Sequence, residues 1–230
     1  MPYTEDMNCS SQRGNVLFYI LLAIALLAGL TFAVQQGSRS SATALTADQA
    51  RIAASSIIDY ANTVSASVSK LKLRGCTETQ ISFANSLTGA TYTNPSAPTD
   101  KSCHVFDVVG AQINWTDAGT FSAGAVELTG GCNVASVGTT ASELLLVVED
   151  IDVQTCTFIN EKLGVPMSSG APITLPAACT YAPFVGAYPA AGTVTVTGTL
   201  GRMAACVKGT GASDDFFQNT YHFYQVLLAR

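Results

Sequence analysis

Charge is scarce in this sequence: Asp, Glu, Lys and Arg make up only 12% of 230 residues, and the formal net charge is -5. The basic residues are scattered, apart from Lys70, Lys72 and Arg74. No basic face is therefore available for phosphates, and no nucleic-acid partner is expected. Histidine is scarcer, with only His104 and His222. Neither comes with a GxSxG nucleophile signature, and HExxH, P-loop and GxGxxG patterns are absent. An enzyme would have to build its site around one of those two imidazoles, and none is expected. Zinc-type spacing is missing as well, because no two cysteines form a CxxC and only His104 abuts a cysteine.

What the chain has in quantity is apolar surface, 48% of its residues, together with seven cysteines. Cys9 stands in a short polar segment before a hydrophobic run, which leaves six: Cys76, Cys103, Cys132, Cys156, Cys179 and Cys206. An even set of well-separated cysteines behind an apolar segment points to disulfides, and disulfides persist mainly in oxidising compartments. The alternative is six reduced thiols buried as small apolar groups. Six cysteines allow 15 pairings. Pairing of neighbours is the expectation: Cys76 with Cys103, Cys132 with Cys156, Cys179 with Cys206. In the chain-entropy account each such loop contributes roughly 3 to 4 kcal/mol.

Residues 16–34 read VLFYILLAIALLAGLTFAV, nineteen in a row without a charge. As a helix they would extend ~28 Å against ~30 Å of hydrocarbon. Twelve are Leu, Ile, Val or Phe. Their summed insertion preference, roughly -5 kcal/mol, outweighs Gly29, Thr31 and Tyr19. A cleaved secretory signal is the competing reading, but it calls for a basic n-region and a shorter apolar stretch. Glu5, Asp6 and a single Arg13 precede this run. Arg13 on one side and Arg39 and Arg51 on the other leave orientation to the cysteines.

Gln12, Arg13, Gly14 and Asn15, followed at once by that run, resemble the class III leader of type IV pilins and type II secretion pseudopilins. The resemblance implies that a prepilin peptidase cuts between Gly14 and Asn15 and that Asn15 is N-methylated. It also implies that residues 1–14 are a leader and 15–34 a helix that holds the subunit in the bacterial inner membrane, single-pass, before packing in a filament core. Val16, Leu17, Phe18, Tyr19, Ile20 and Leu21 would form the start of that membrane and assembly surface, with other pilin-like subunits as partners. The head would lie in the periplasm or on a cell-surface filament. The sequence departs from the family at Asn15, where Phe or Met is usual, and at Tyr19, where Glu is usual. Both departures point to a divergent or minor subunit.

Residues 35–41 form a polar stretch with Gly37, a candidate break, and Thr46 with Gln49 has capping-box spacing for a new helix start. Ala50, Ala53, Ile57, Ala61, Val64, Val68 and Leu71 then fall on one helical stripe. The helix is expected to end with the basic trio against its negative end and Gly75 as the C′ residue. Residues 35–75 would thus be a polar link and stalk helix, and 76–230 a β-rich head. Within the head, strands are expected at 104–109, 125–128, 143–148, 193–200 and 221–229. A short helix should start at Asp150 or Asp152, show Cys156, Ile159 and Leu163 on one face, and stop at Gly164. Residues 77–102 read as a surface loop tied at both ends by cysteine, Trp115 reads as a packing residue, and a strand histidine such as His222 as a surface or rim residue. The acidic pair Asp214 and Asp215 lies in a Gly-rich stretch, GTGASDDF. Hard oxygen ligands on such a loop would suit calcium, although a solvated acidic turn explains the same residues; no other cofactor is expected.

The expected class is α+β: a long hydrophobic N-terminal helix continuing into an amphipathic one packed on a β-rich, disulfide-linked head, pilin-like in plan. The function expected is structural, as a filament subunit. The rival is a monomeric membrane-tethered binding module, an adhesin or receptor in which the helix is only an anchor.

Overall fold

A computed structural model describes residues 13–117, 119, 124–174, 182–189, 194–209 and 220–230. Side chains within the first helix are described for residues 18–27 and from Thr46 onward. The chain divides into two compact units, Met1–Asp48 and Gln49–Arg230.

The first helix, α1, runs over Arg13–Leu73. The break expected at 35–41 and the start expected at Thr46 are not there, because the helix is uninterrupted. The stretch is rich in Ala, Ser, Gln and Leu, and a single Gly37 costs about 1 kcal/mol of helix propensity, too little to end a long helix. The helix stops where its sequence says it should. Gly75 sits at φ 97°. Its N–H donates to the Lys72 carbonyl and the Cys76 N–H donates to the Leu71 carbonyl. That pair of bonds is the Schellman arrangement, and it delivers Cys76 into the core beside Leu71.

In the second unit, a 3₁₀ turn at Glu78–Gln80 precedes β1 Val126–Val134, β2 Glu143–Ile151, α2 Val153–Leu163, β3 Val194–Val196, β4 Ala204–Lys208 and β5 Tyr221–Leu228. The fold class is α+β. The sheet order is β3-β1-β2-β5-β4. Four strands are antiparallel, and β3 joins parallel at the edge of β1. The strands expected at 125–128, 143–148, 193–200 and 221–229 all exist with adjusted ends. The one expected at 104–109 does not. Asp107 folds that segment back: its carbonyl accepts from Gly110 and Gln112, its carboxylate accepts from the Val109 N–H, and Ala111 donates to the His104 carbonyl. Asx-type turn chemistry overrides the apolar residues there, leaving one parallel bridge between Ser82 and His104. β4, AACVK, lacks a strand-like pattern in sequence and was not expected.

Both faces of the sheet are covered, which is why β2 reads ELLLVVEDI without alternation. One face carries Val126, Leu128, Leu144, Leu146, Val148, Phe223 and Cys206 against the α1 stripe. That stripe buries Ala54, Ile57, Ala61, Val64, Val68 and Leu71, with Ala54 in place of the expected Ala53. Full burial of its four larger side chains stabilises by about 1.5 to 3 kcal/mol each. The other face carries Cys132, Val134, Leu145, Val147, Val207 and Tyr224. Residues 77–102 are less superficial than expected, because Ile81, Phe83 and Tyr92 enter the α1-side core. Trp115 packs as expected, edge-on to Phe106 at 5.1 Å.

α2 is set by its caps. Asp152 accepts from the Gln154 and Thr155 N–H groups, and Gly164 closes the helix in the left-handed region at φ 64°. Cys156, Ile159 and Asn160 are buried. The Asn160 amide pairs with the backbone of Cys206 in both directions, donating to its carbonyl at 2.7 Å and accepting from its N–H at 2.8 Å. These two bonds satisfy the outer edge of β4. Asn160→Ala therefore leaves a buried N–H and C=O unpaired and is expected to destabilise the protein by about 2 to 4 kcal/mol, read from chemical denaturation of the full chain. A loss below about 0.5 kcal/mol would contradict this account of the edge.

Candidate functional site

Disulfide chemistry was expected at six cysteines, and five of these are oxidised among the described residues. Cys76 bonds Cys103, with Cα atoms 5.8 Å apart, as expected. Cys156 bonds Cys206 at 5.3 Å, so the pairings of Cys132 with Cys156 and of Cys179 with Cys206 are wrong. The reason is which side of the sheet each sulfur occupies. Cys76, Cys103, Cys156 and Cys206 share the α1-side core, whereas Cys132 lies in the opposite one. A bulge between Thr129 and Cys132 produces that placement by shifting the register of β1. Cys132 is itself disulfide-bonded; Cys179 lies outside the described residues.

Gly14 and Asn15, where processing was expected, fall in the first turn of α1. Phe18, Tyr19, Ile20 and Leu21 are in the helix and exposed; the side chains of Val16 and Leu17 lie outside the description. Exposure is not confined to one stripe. All ten residues from 18 to 27 are exposed, from Phe18 at 62% to Leu27 at 69%. None carries a charge. Among the described residues no helix is long and apolar enough to cross a membrane.

Asp214 and Asp215 lie outside the described residues. Among the described residues no group of three or more His, Cys, Asp or Glu is placed to hold a metal ion. Of the neighbouring acids Glu149, Asp150 and Asp152, Asp152 caps α2, while Glu149 and Asp150 belong to β2.

The two histidines are also separate. His104 lines a cleft of about 430 Å³ with Asn85, Ser86, Lys101, Phe106 and Asp107. Burial holds its imidazole below the ordinary value, even with Asp107 nearby. The polar groups around it are committed to their own loop. Lys101 pairs with Asp107 at 3.1 Å, and the Asn85 side chain accepts from Leu87 and Thr88 while donating to Phe83. The geometry is that of a braced turn. His222, expected at a rim, is buried at 1% exposure, and its Nε2 lies 2.9 Å from Thr220 Oγ1.

Three glutamates hold places other than the sequence suggests: Glu149, read as part of an acidic helix start, lies in β2, and Glu127 and Glu143 carried no reading. Glu143 is fully buried, accepting from the Val134 N–H at 2.7 Å and the Asn133 amide at 3.1 Å. The same amide donates to the Thr139 and Ala141 carbonyls and so fixes the β1–β2 connection. Burial pushes Glu143 up to about 7, against those donors and Arg230. Arg230 lies over the Tyr188 ring at 3.9 Å and pairs with Glu78 at 3.5 Å, clamping the 3₁₀ turn to the segment beside β1. Glu127 is pushed up to about 8 by burial and by Glu149, and Glu149 to about 7 by burial and by Asp150, against a hydrogen bond from the Ala125 N–H. Glu127 takes the polar place in the alternation of Val126, Glu127, Leu128 and Thr129, so nothing local marked it as enclosed.

Comparison with protein-family models, with curated proteins and with solved structures finds no match. The geometry must therefore stand by itself. Its firmest chemical consequence is the cystine pattern: non-reducing peptide mapping of the purified chain should recover Cys76–Cys103 and Cys156–Cys206 linked peptides. Recovery of a Cys132–Cys156 peptide would contradict the division of sulfurs between the two faces.

Proposed function

We propose that this chain is a structural subunit of a type IV pilus-like or pseudopilus filament, divergent or minor, held in the bacterial inner membrane before assembly. The observation that carries the reading is the collar of exposed, uncharged side chains on all sides of residues 18–27. A helix that is apolar all round is stable only when something covers it. Lipid does so before assembly, and the equivalent helix of neighbouring copies does so afterwards. Tyr19 cannot supply the charge that a glutamate there would offer to a neighbour's N-terminus, so contact along this collar is lateral packing rather than ion pairing.

The head supports this role by being braced rather than open. Its imidazoles are spent on a turn and on a strand interior, and its disulfides tie α2 to β4 and the loop after α1 back onto itself. Its part is mechanical: processing at Gly14, retention through residues 15–34, and presentation of a rigid cap outside the cytoplasm. The partners are the inner membrane, prepilin peptidase and other pilin-like subunits.

Gly14→Ala in the native host should leave a longer, unprocessed chain that does not enter filaments, whereas the wild-type protein taken from membranes should begin at Asn15 on N-terminal sequencing. Ile24→Asp should lower membrane retention and assembly together, since a charge at mid-helix costs about 2.5 to 3.5 kcal/mol of insertion. A monomeric tethered binding module predicts otherwise, with Gly14→Ala changing nothing. An intact leader on the wild-type membrane protein would overturn the filament reading.

A further inference from the structure

The opposite face of the sheet holds two carboxyl groups that nothing in the filament reading uses. The register pairs Val126 with Val148 and Glu127 with Val147. Val126 and Val148 face α1, and Val147 faces the other way. Glu127 is thereby placed on the far face, diagonal to Glu149 on the adjacent strand, within reach of its long side chain. Glu127 Oε2 is buried and has no hydrogen-bond partner among the described residues.

Glu149 has little freedom to move off. A Cβ at Gly124 would lie 2.8 Å from both the Glu149 Cβ and its backbone, so the chain before β1 is pressed against it. The bulge at Asp150, φ 50°, sets Glu149 and Asp150 together opposite His222, because the register passes from Val148 and Phe223 to Ile151 and Tyr221. The titratable groups facing the pair are thus Asp150 from β2 and His222 from β5. Lys208 is aligned with Tyr221 and looks to the α1 side. The segment 182–189 beside β1 carries no charge. No described cation relieves the two carboxylates.

We propose that Glu127 and Glu149 form a proton-holding latch between β1 and β2, closed in acidic surroundings by one carboxyl donating to the other and loosened when both ionise. Two facing carboxylates in a half-dry site repel, and the one donor shown is the Ala125 N–H to Glu149, whereas one proton supplies Glu127 with a partner and removes a charge. The direction of the pH effect follows. Both folded-state values, about 8 for Glu127 and about 7 for Glu149, lie above the ordinary 4.5. The stabilisation is therefore full in acid and is lost as pH rises from the ordinary range through the folded values. A head held outside the cytoplasm would stiffen as its surroundings acidify.

Thermal melting of the full chain in detergent at about pH 5.5 and about pH 9 tests this. The wild type should melt more than about 5 °C lower at the higher pH. Glu127→Gln should remove most of that difference and melt above the wild type in alkali. Glu143→Gln should remove a smaller part than Glu127→Gln does, because Glu143 is raised less, to about 7 against about 8. If Glu127→Gln retains the wild-type difference, the latch is refuted. Infrared difference spectra of the wild type give a measurement that needs no variant: a protonated carboxyl band should persist at neutral pH and bleach as pH approaches about 8. Its absence at neutral pH would refute the proposal equally, whatever the protein's part in a filament.

Discussion

A five-stranded sheet with two apolar faces must be covered twice, and the second unit is organised around that constraint. The stripe from Ala54 to Leu71 covers one face, and it does so because small and large residues are interspersed along it. Ala54 and Ala61 allow close approach, while Ile57, Val64, Val68 and Leu71 fill the space between backbone and strands. A charge on that stripe would expose not only the helix but Leu128, Leu146 and Val148 beneath it. The cysteines then reinforce the same layer: both disulfides with described partners lie on the α1 side, one closing the loop that follows the helix and one tying α2 to β4.

The opposite face is built differently. Its apolar centre, Leu145, Val147, Val207 and Tyr224, is bordered by polar groups that penetrate the core, namely Glu143 and Asn133 at one end of β2 and Glu127, Glu149 and His222 toward the other. Glu143 is supplied with donors and works as a structural acceptor. Glu127 Oε2 has no donor among the described residues, and Glu149 has the Ala125 N–H alone. Similar residues on one strand face therefore differ in consequence: one fixes a connection, the others make the sheet responsive to protons.

Most of the elements could be read from the sequence, because their signals are local. Asp152, Cys156, Ile159 and Gly164 specify α2 within a dozen residues, and Gly75 specifies the end of α1. Apolar runs marked β1, β2 and β5. Pairing was not legible, since it depends on which face of the sheet each cysteine occupies, and the Gly130–Gly131 bulge that moves Cys132 to the far side has no signature except two glycines. Gly130 is needed because the Phe184 and Tyr188 rings press on it, where a Cβ would come within 3.1 Å and 2.9 Å of them. His222 looked peripheral in YHFY because nothing local says that both faces of β5 are covered. The segment 104–109 failed for the opposite reason: Asp107, a strong local turn former, outweighed its apolar neighbours.

Topology adds an ordering that no local signal carries. β5 is last in sequence among the strands yet lies between β2 and β4. Until Tyr221–Leu228 inserts, β2 has one open edge and β4 has no neighbour in the sheet, so neither core layer can close. Contacts of such long sequence separation form late and slowly. Cys206 sits on β4, and its bond to Cys156 spans 50 residues, so that crosslink is in place only when α2 and the final hairpin meet. A chain held by its first helix, as proposed, would present an unfinished sheet through much of its export, with exposed strand edges prone to pairing with other chains. The shorter Cys76–Cys103 loop, 27 residues, adjoins the end of α1 and includes none of the five strands, so its closure does not wait for the sheet. It gives β1 and β2 a prepared surface on which to settle before the closing strand arrives.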